Sequence, residues 1–341
     1  MKDVQIHGPL VKKKNLLPVL NTVLVKDGER VSTDLDRYVR TQTDLPNGLY
    51  RLVGTDWVKS PISQDEFPPP PPVSGTGVKL ELDRITAKRL LACMSTDETR
   101  YILNSILFRV HAEGVTLTST DGRRATTCEW PRMDTDKRPI PKKAQGDYVV
   151  PHQGNPNTHP LAMLLKDKQR DTLTMQTEVP YMHLSNGEQT ISVKLTDGTY
   201  PNYKQVIPVD DEGLFYVERD EMIEALKEAL PYTNDDFTVQ LHMEKGNDGN
   251  VLRIHAENVD EALVFDRCVS VEHVRRVKKV DRLALDVRYL LDTFIQEEGL
   301  VYFGYTDALA PVDVGTHIVS RNKRDQIDRT DITVLMPMRI T

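Results

Sequence analysis

Three cysteines and nine histidines are the side chains of this 341-residue chain best suited to catalysis or metal binding. A metal centre needs such residues clustered at ligand spacing, and a nucleophilic site needs a Cys or Ser beside a base. Cys93, Cys128 and Cys268 lie far apart and form no CxxC. His242 and His255 alternate with apolar residues in strand-like runs, which is the pattern of sheet histidines rather than ligands. Neither HExxH nor a Walker loop occurs. "GNDGN" (246–250) reads as a hairpin turn, because no helix follows it to cradle a phosphate. "STDGRRA" (119–125) could suggest metal or phosphate work, but a lone Asp121 before Gly122 fits a turn cap. Thr-Asp recurs at Asp34, Asp121 and Asp307, each after a strand-like run, which points to architecture. There is no catalytic constellation, and no cofactor or metal is expected.

Basic residues come in separate patches. "VKKKN" (11–15) is the strongest, "RITAKR" (84–89) sets Arg84, Lys88 and Arg89 along one side of a helix, and "VRRVKK" (274–279) is a third. The whole chain is acidic, with a net charge of −7. Modest basic patches on an acidic body suit weak, mobile contact with a phosphate backbone. Hydrophobic residues at 39% allow a real core, and charged residues at 28% favour solubility. No apolar run is long enough for a transmembrane helix, so no membrane partner is expected. No signal peptide is read, and few, odd-numbered cysteines fit a reducing, cytoplasmic setting.

The elements that would position these residues repeat. "LPVLNTVLVKDGERVSTD" (17–34) resembles "RYILNSILFRVHAEGVTLTSTD" (100–121), with hairpin turns at Asp27-Gly28 and Glu113-Gly114. A fainter copy is "FTVQLHMEKGNDGNVLRIHAEN" (237–258). "DEFP" (65–68) and "GTYP" (198–201) each close a unit with an aromatic-Pro step. The first unit, from Asn21 to Phe67, is ~50 residues shorter than the second, from Asn104 to Tyr200. Helices are predicted over 82–94, 159–168, 219–230 and 286–298, and strands over 172–177 and 189–195. In 219–230 the inward residues are Met222, Ile223, Leu226 and Leu230. "DEFPPPPPVSGTG" (65–77) reads as a semi-rigid polyproline linker, with a ligand for a proline-binding module as the sharper alternative. A second boundary falls at "VIPVDDEG" (206–213). The terminal "TVLMPMRIT" (333–341), in strand geometry, would put Val334, Met336, Met338 and Ile340 on one face, either tucked into a core or used as an adaptable contact surface. Units of mixed sheet and helix give an α+β fold.

In order along 76–341, "DETRYILNSILF", "TSTDGRRA", "VKLTDGTYPNYKQVIP", "LALDVRYLLDTF" and "VLMPMR" together resemble the bacterial DNA polymerase III β subunit, the β sliding clamp family. The first unit matches at "GPLVKKKNLLPVLNTVL", "STDLDRYVR" and "WVKSPISQDEFP", and lacks the stretch between the last two, with the family's first helix reduced to "MKDVQIH". The resemblance implies a DNA clamp fold: repeated domains with outer antiparallel sheets and inner helices. Those domains would be a reduced first one over 1–75 ending in the proline-rich linker, a second over 76–208 and a third over 209–341. It implies a non-enzymatic processivity factor in which two chains close head to tail around duplex DNA. DNA polymerase and clamp loader would dock short hydrophobic motifs in a cleft.

The cleft positions implied are Leu103, Thr120, Gly122, Arg123, Ala125, Pro201, Gln205, Val206, Leu309, Pro311, Val334, Met336, Pro337, Met338 and Arg339. Ala125 stands where the family usually has a larger aliphatic residue, and Gln205 where a basic one is common. The resemblance thus implies a pocket that is deeper or accepts a bulkier anchor, with one charge fewer at its rim. DNA contacts implied are Lys12, Lys13, Lys14, Arg100 and Tyr101, with weaker contact at His152 and Gln153, and the helix-face basic patch adds Arg84 and Lys88 as expected contacts. The Glu-rich 219–230 helix is unusual for a pore lining. Trp57 and Tyr232 fall near the family's subunit interface. The alternative reading is a monomeric clamp-derived interaction module that does not encircle DNA; an enzyme would need the catalytic cluster that is missing.

Overall fold

Asp27 and Gly28 both have positive φ, 54° and 81°. That is the two-residue hairpin turn whose twist matches the strands it joins. It connects β1 (Thr22–Lys26) to β2 (Glu29–Thr33), with Leu24 opposite Val31 and Lys26 opposite Glu29. The computed structural model describes residues 2–11, 16–74, 77–81, 83–130, 139–208, 212–245, 250–275, 280, 282–315 and 331–339. The chain divides into two compact units. The first comprises Met1–Ala87, Thr96–Thr116 and Trp130–Thr199, and the second Lys88–Ser95, Leu117–Glu129 and Tyr200–Thr341.

Ahead of β1 lies α1 (Lys2–Val11), and after β2 come β3 (Arg37–Gln42), β4 (Gly48–Val53) and β5 (Asp56–Lys59). Beyond the prolines are β6 (Val78–Glu81), α2 (Arg84–Ala92), β7 (Ser105–Val110), β8 (Val115–Thr120) and β9 (Arg124–Trp130). Then follow β10 (Gly146–Pro151), α3 (Pro160–Leu164), β11 (Thr172–Glu178), β12 (Tyr181–Ser185) and β13 (Gln189–Lys194). In the first unit nine strands form one sheet in the order β5-β4-β1-β2-β3-β13-β12-β11-β6, with β3 and β13 joining the two repeats antiparallel. Successive residues of β1 point to opposite faces. Val23 and Val25 pack with Val11 and Tyr50, while Leu24 packs with Val19, Leu20, Tyr38 and Phe67. Both faces of the strand are therefore buried.

The helix predicted over 159–168 is shorter than its sequence pattern. It spans Pro160–Leu164 and is capped by His159, whose Nδ1 accepts from Leu161 N at 3.2 Å. Beyond it, Arg84 draws the chain out of helical geometry by donating to the carbonyls of Leu165, Asp167 and Arg170.

The second unit continues with β14 (Gly213–Glu218), α4 (Arg219–Ala229), β15 (Thr238–Lys245), β16 (Asn250–Asn258) and β17 (Leu263–Arg275). It ends with β18 (Arg282–Asp286), α5 (Val287–Gln296), β19 (Leu300–Tyr305), β20 (Val312–Gly315) and β21 (Asp331–Leu335). Its strands run in the order β8-β9-β21-β20-β19-β14-β17-β16-β15-β18. Met222, Ile223, Leu226 and Ala229 of α4 and Leu290 and Phe294 of α5 bury one face against Leu241, Ile254, Val269 and Phe303, with Leu230 partly buried beside them. The amphipathic phase read from the sequence is the one adopted. The predicted 246–250 turn falls on 246–249, outside the described residues, as does most of the basic run 274–279.

The terminal stretch departs from simple alternation. The strand stops at Leu335, and Val334 and Leu335 are both buried, so both faces of β21 are covered while β20 and β9 pair along its two edges. Met336 is 38% exposed, and Ile340 lies outside the described residues. Pro337, which has no N–H to give a ladder, follows within two residues of the strand end.

Candidate functional site

The Thr-Asp turns are built alike. Arg37 N donates to Asp34 Oδ1 at 2.9 Å, and Arg123 N and Arg124 N donate to Asp121 Oδ1 at 2.9 and 3.0 Å. Leu309 N and Ala310 N donate to Asp307 Oδ1, both at 2.7 Å. Each carboxylate caps its own turn, so these aspartates serve architecture. At the second turn, Thr120 Oγ1 donates to Arg124 O (2.6 Å) and accepts from Gly122 N (3.0 Å). Gly122 has φ 89°, a left-handed conformation that favours glycine.

This turn opens β9, and β9 pairs antiparallel with β21. Ala125 stands opposite Val334 and Arg124 opposite Leu335. On the other side of β21, Val312 stands opposite Leu335. Past the strand end, Met336 N donates to Arg123 O at 2.9 Å and Met338 N to Ala284 O at 2.7 Å. The tail is thus stitched by its backbone to the 120–125 turn and to β18, while Met336 and Arg339 stay exposed. Leu309, 62% exposed, and the half-buried Pro311 lead directly into β20. Within 201–206, Tyr203–Gln205 forms a short 3-10 turn whose Tyr203 is buried. Buried Tyr200 ties that segment to the turn through a hydrogen bond with the Thr120 backbone, and burial pushes its phenol pKa up. The second unit therefore gathers Thr120, Gly122, Arg123, Ala125, Pro201, Gln205, Val206, Leu309, Pro311, Val334, Met336, Pro337, Met338 and Arg339 on neighbouring segments. Ala125 and Val334 are buried, whereas Arg123, Pro201, Gln205 and Leu309 reach solvent. Leu103 is half-buried in the first unit.

Arg124 organises this region, and the sequence reading did not single it out. Its guanidinium reaches Asp121 Oδ2 (3.0 Å), Asp292 Oδ2 (3.2 Å) and Ala92 O (2.7 Å), and lies 4.7 Å from the Tyr289 ring centroid. Burial opposes its charge, but Cys93, Asp121 and Asp292 outweigh that, and its pKa is raised. Cys93 itself is pushed up by burial, which makes it a poor nucleophile. The signals for these partners were the second Arg of "GRR" and the Tyr and Asp of "RYLLD", all within motifs already quoted. Among the described residues no group of His, Cys, Asp and Glu could hold a metal.

The remaining sequence-predicted residues are scattered. Arg100 and Tyr101 are exposed, Tyr101 by 59%, and Lys88 is exposed on α2. Arg84 is engaged with three carbonyls, and Arg89, read as lying on the same basic face, is instead buried in a 2.5 Å pair with Glu297. On α2 Arg89 and Leu90 are both buried while Lys88 is exposed, so the basic residues do not share one solvent-facing side. Lys12, Lys13 and Lys14 lie outside the described residues. His152 is buried and Gln153 half-buried. Trp57, on β5, has Arg30 5.1 Å from its ring centroid, and Tyr232 packs against Phe265 with centroids 5.4 Å apart. The α4 glutamates are partly neutralised, since Arg267 bridges Glu224 (2.6 Å) and Glu228 (2.7 Å).

Antiparallel sheets carrying few helices, with a C-terminal strand seated beside a Thr-Asp-Gly turn, define a protein of the clamp fold. The profile of the DNA polymerase III beta subunit central domain matches residues 80–202. The beta sliding clamp of Pseudomonas putida is 24% identical over 86% of each chain. That of Caulobacter vibrioides is 25% identical over 97% of this chain and 95% of its own. The Bacillus subtilis DNA polymerase sliding clamp superposes with a TM-score of 0.77 at 17% identity, covering 100% of this chain and 97% of that one. A Pseudomonas aeruginosa sliding clamp bound to griselimycin superposes with a TM-score of 0.75 at 21% identity, covering 99% and 96%. Over residues 80–202 the chain carries the central domain of a DNA polymerase III beta subunit, and over nearly its whole length it is similar to beta sliding clamps and shares their fold.

Proposed function

We propose that this chain is a replication processivity factor: two copies close head to tail around duplex DNA, and polymerase and clamp-loader motifs dock beside the C-terminal tail. The observation that carries the docking reading is the register of Ala125 against Val334. It sets an exposed methionine tail beside an exposed Leu309 loop and a polar turn. Methionine repacks around different apolar anchors, which suits a surface with several clients. Linkage by enclosure turns a weak client contact into lasting association through effective concentration. The three-domain division at 75 and 208 and the pairing of Trp57 with Tyr232 across subunits belong to this reading. DNA contact would fall to Lys88, Arg100, Tyr101 and the Lys12–Lys14 run, acting on phosphates without reading bases.

The test is topological. Loaded on nicked circular DNA, the protein should stay bound and slide off once the circle is cut. Light scattering should give twice the 38.8 kDa chain mass. A chain-mass particle that binds motif peptides but is not retained on circles would favour the monomeric module instead. The short first repeat, with α1 and five strands, is the feature that favours that second reading.

A further inference from the structure

The proline run is held down in the first unit. Phe67 is buried in the core at one end, Arg40 Nη2 donates to Pro71 O in the middle, and Ser74 Oγ donates to Glu178 Oε2 at 3.1 Å at the other end. The grip is continuous across the sheet. Arg40 Nη1 donates to Ser192 Oγ (2.8 Å), Ser192 bonds His183 Nδ1 (2.7 Å), and His183 Nε2 lies 4.0 Å from Glu178. Arg40, Ser192, His183 and Glu178 come from four adjacent strands, so the run lies across the sheet as a strap.

A polyproline helix has three residues per turn, so every third residue shares an edge. The strap's exposure follows that period on one edge, where Pro69 and Pro72 are both exposed. Pro71 is buried and Pro68 half-buried, so that edge faces the body. Pro69 and Pro72 are exposed, Pro70 is half-buried and Val73 is 43% exposed. Pro69 and Pro72, three residues apart, therefore point outward along one edge, with exposed Val73 beside Pro72 and buried Pro71 between them. Two outward prolines at this spacing are what an aromatic-lined groove takes from a PxxP ligand. Proline rings already fixed in φ lose little further freedom on binding, and the anchored strap loses less still. Exposed Asp65 and Glu66 stand just upstream, so the rim facing them should be basic. A module that also takes the preceding Phe is excluded, because Phe67 is 5% exposed.

We infer that Pro69–Val73 is a preorganised docking ridge for a partner carrying an aromatic-walled, proline-binding groove with a basic rim. This site is separate from the tail-side cleft and does not depend on the clamp reading. The test uses the full chain and two probes: an isolated SH3 domain with its natural acidic rim, and the same domain with those rim acids changed to lysine. The expected result is saturable binding of the lysine-rimmed probe. Binding should fall at least tenfold for the Pro69→Ser/Pro72→Ser variant and for Val73→Glu. All these positions are exposed, so unfolding curves should coincide with wild type. Absence of saturable binding by the lysine-rimmed probe, or equal binding by the variants, would overturn the inference. Tighter binding of the acidic-rimmed probe would overturn the assignment of a basic rim.

Discussion

Arg124 on β9 and Asp292 on α5 lie 168 positions apart and meet at 3.2 Å. The arginine is 7% exposed and the aspartate 53%. Their contact fixes the turn that carries Arg123 and Ala125 to the helix beneath it. The asymmetry in exposure decides what each substitution should do. Arg124→Gln removes a buried cation from Asp121, Ala92 O and Tyr289 together, and should cost about 2–4 kcal/mol. Asp292→Asn removes one solvent-screened partner and should cost under ~1 kcal/mol. Urea unfolding of the two variants checks the ranking, and equal losses would show that the exposed partner carries the interaction.

The Arg89–Glu297 pair is buried on both sides, 4% and 0% exposed. Glu297→Ala would leave a buried cation without its carboxylate and should lower stability by about 3–5 kcal/mol. The double variant Arg89→Met/Glu297→Leu removes both charges and should recover most of that loss. Thermal unfolding of the single and double variants separates the two cases.

Acid should loosen the first unit early. Burial lowers the His159 pKa to about 3, and burial also lowers that of His183, to about 4. Both fold neutral, so their contribution is fully present above the unfolded value of 6.5. As pH falls below 6.5 the unfolded chain takes up protons that the folded chain refuses, and stability is lost down to about 3 for His159 and about 4 for His183. Each histidine contributes a slope of up to about 1.4 kcal/mol per pH unit in that window. His159→Asn keeps a capping side chain and should flatten the loss between pH 6 and pH 4, as followed by urea midpoints.

Ala125, 6% exposed opposite Val334, leaves a small side chain where a client anchor would sit. A leucine-phenylalanine motif peptide should bind the wild-type chain weakly or not at all, and Ala125→Leu should restore binding. The added volume should cost about 1–3 kcal/mol of stability. Fluorescence titration checks the first outcome, and tight wild-type binding would show that the pocket is not altered in the expected sense.

Met336 is exposed, so Met336→Ala should leave the unfolding curve within about 0.5 kcal/mol of wild type. The same change should weaken any client peptide that the tail receives about tenfold. Deletion of Met336–Thr341 should abolish that binding. Undiminished recruitment after the deletion would remove the tail from the site.

Much of the fold was legible because its signals are local. Asp27-Gly28 announced a hairpin by its φ preference, α4 announced its buried face by 3.6-residue spacing, and each Thr-Asp announced a capped turn. The order of short motifs carried the family resemblance without any one of them being decisive. What periodicity could not give is which distant segments become neighbours. β9 and β20 pair along the two edges of β21, while Leu335 packs into the core of the second unit and Val334 on the opposite face is also buried. Packing likewise turned Arg89 inward to Glu297 and spent Arg84 on carbonyls, though both read as surface cations. The sequence by itself determined the elements, their apolar faces and their repetition, since these depend on backbone preference and nearest-neighbour chemistry. The tertiary structure alone decided that Arg124 would hold the turn beside the tail, because a buried charge goes wherever the fold supplies carboxylates and carbonyls to receive it.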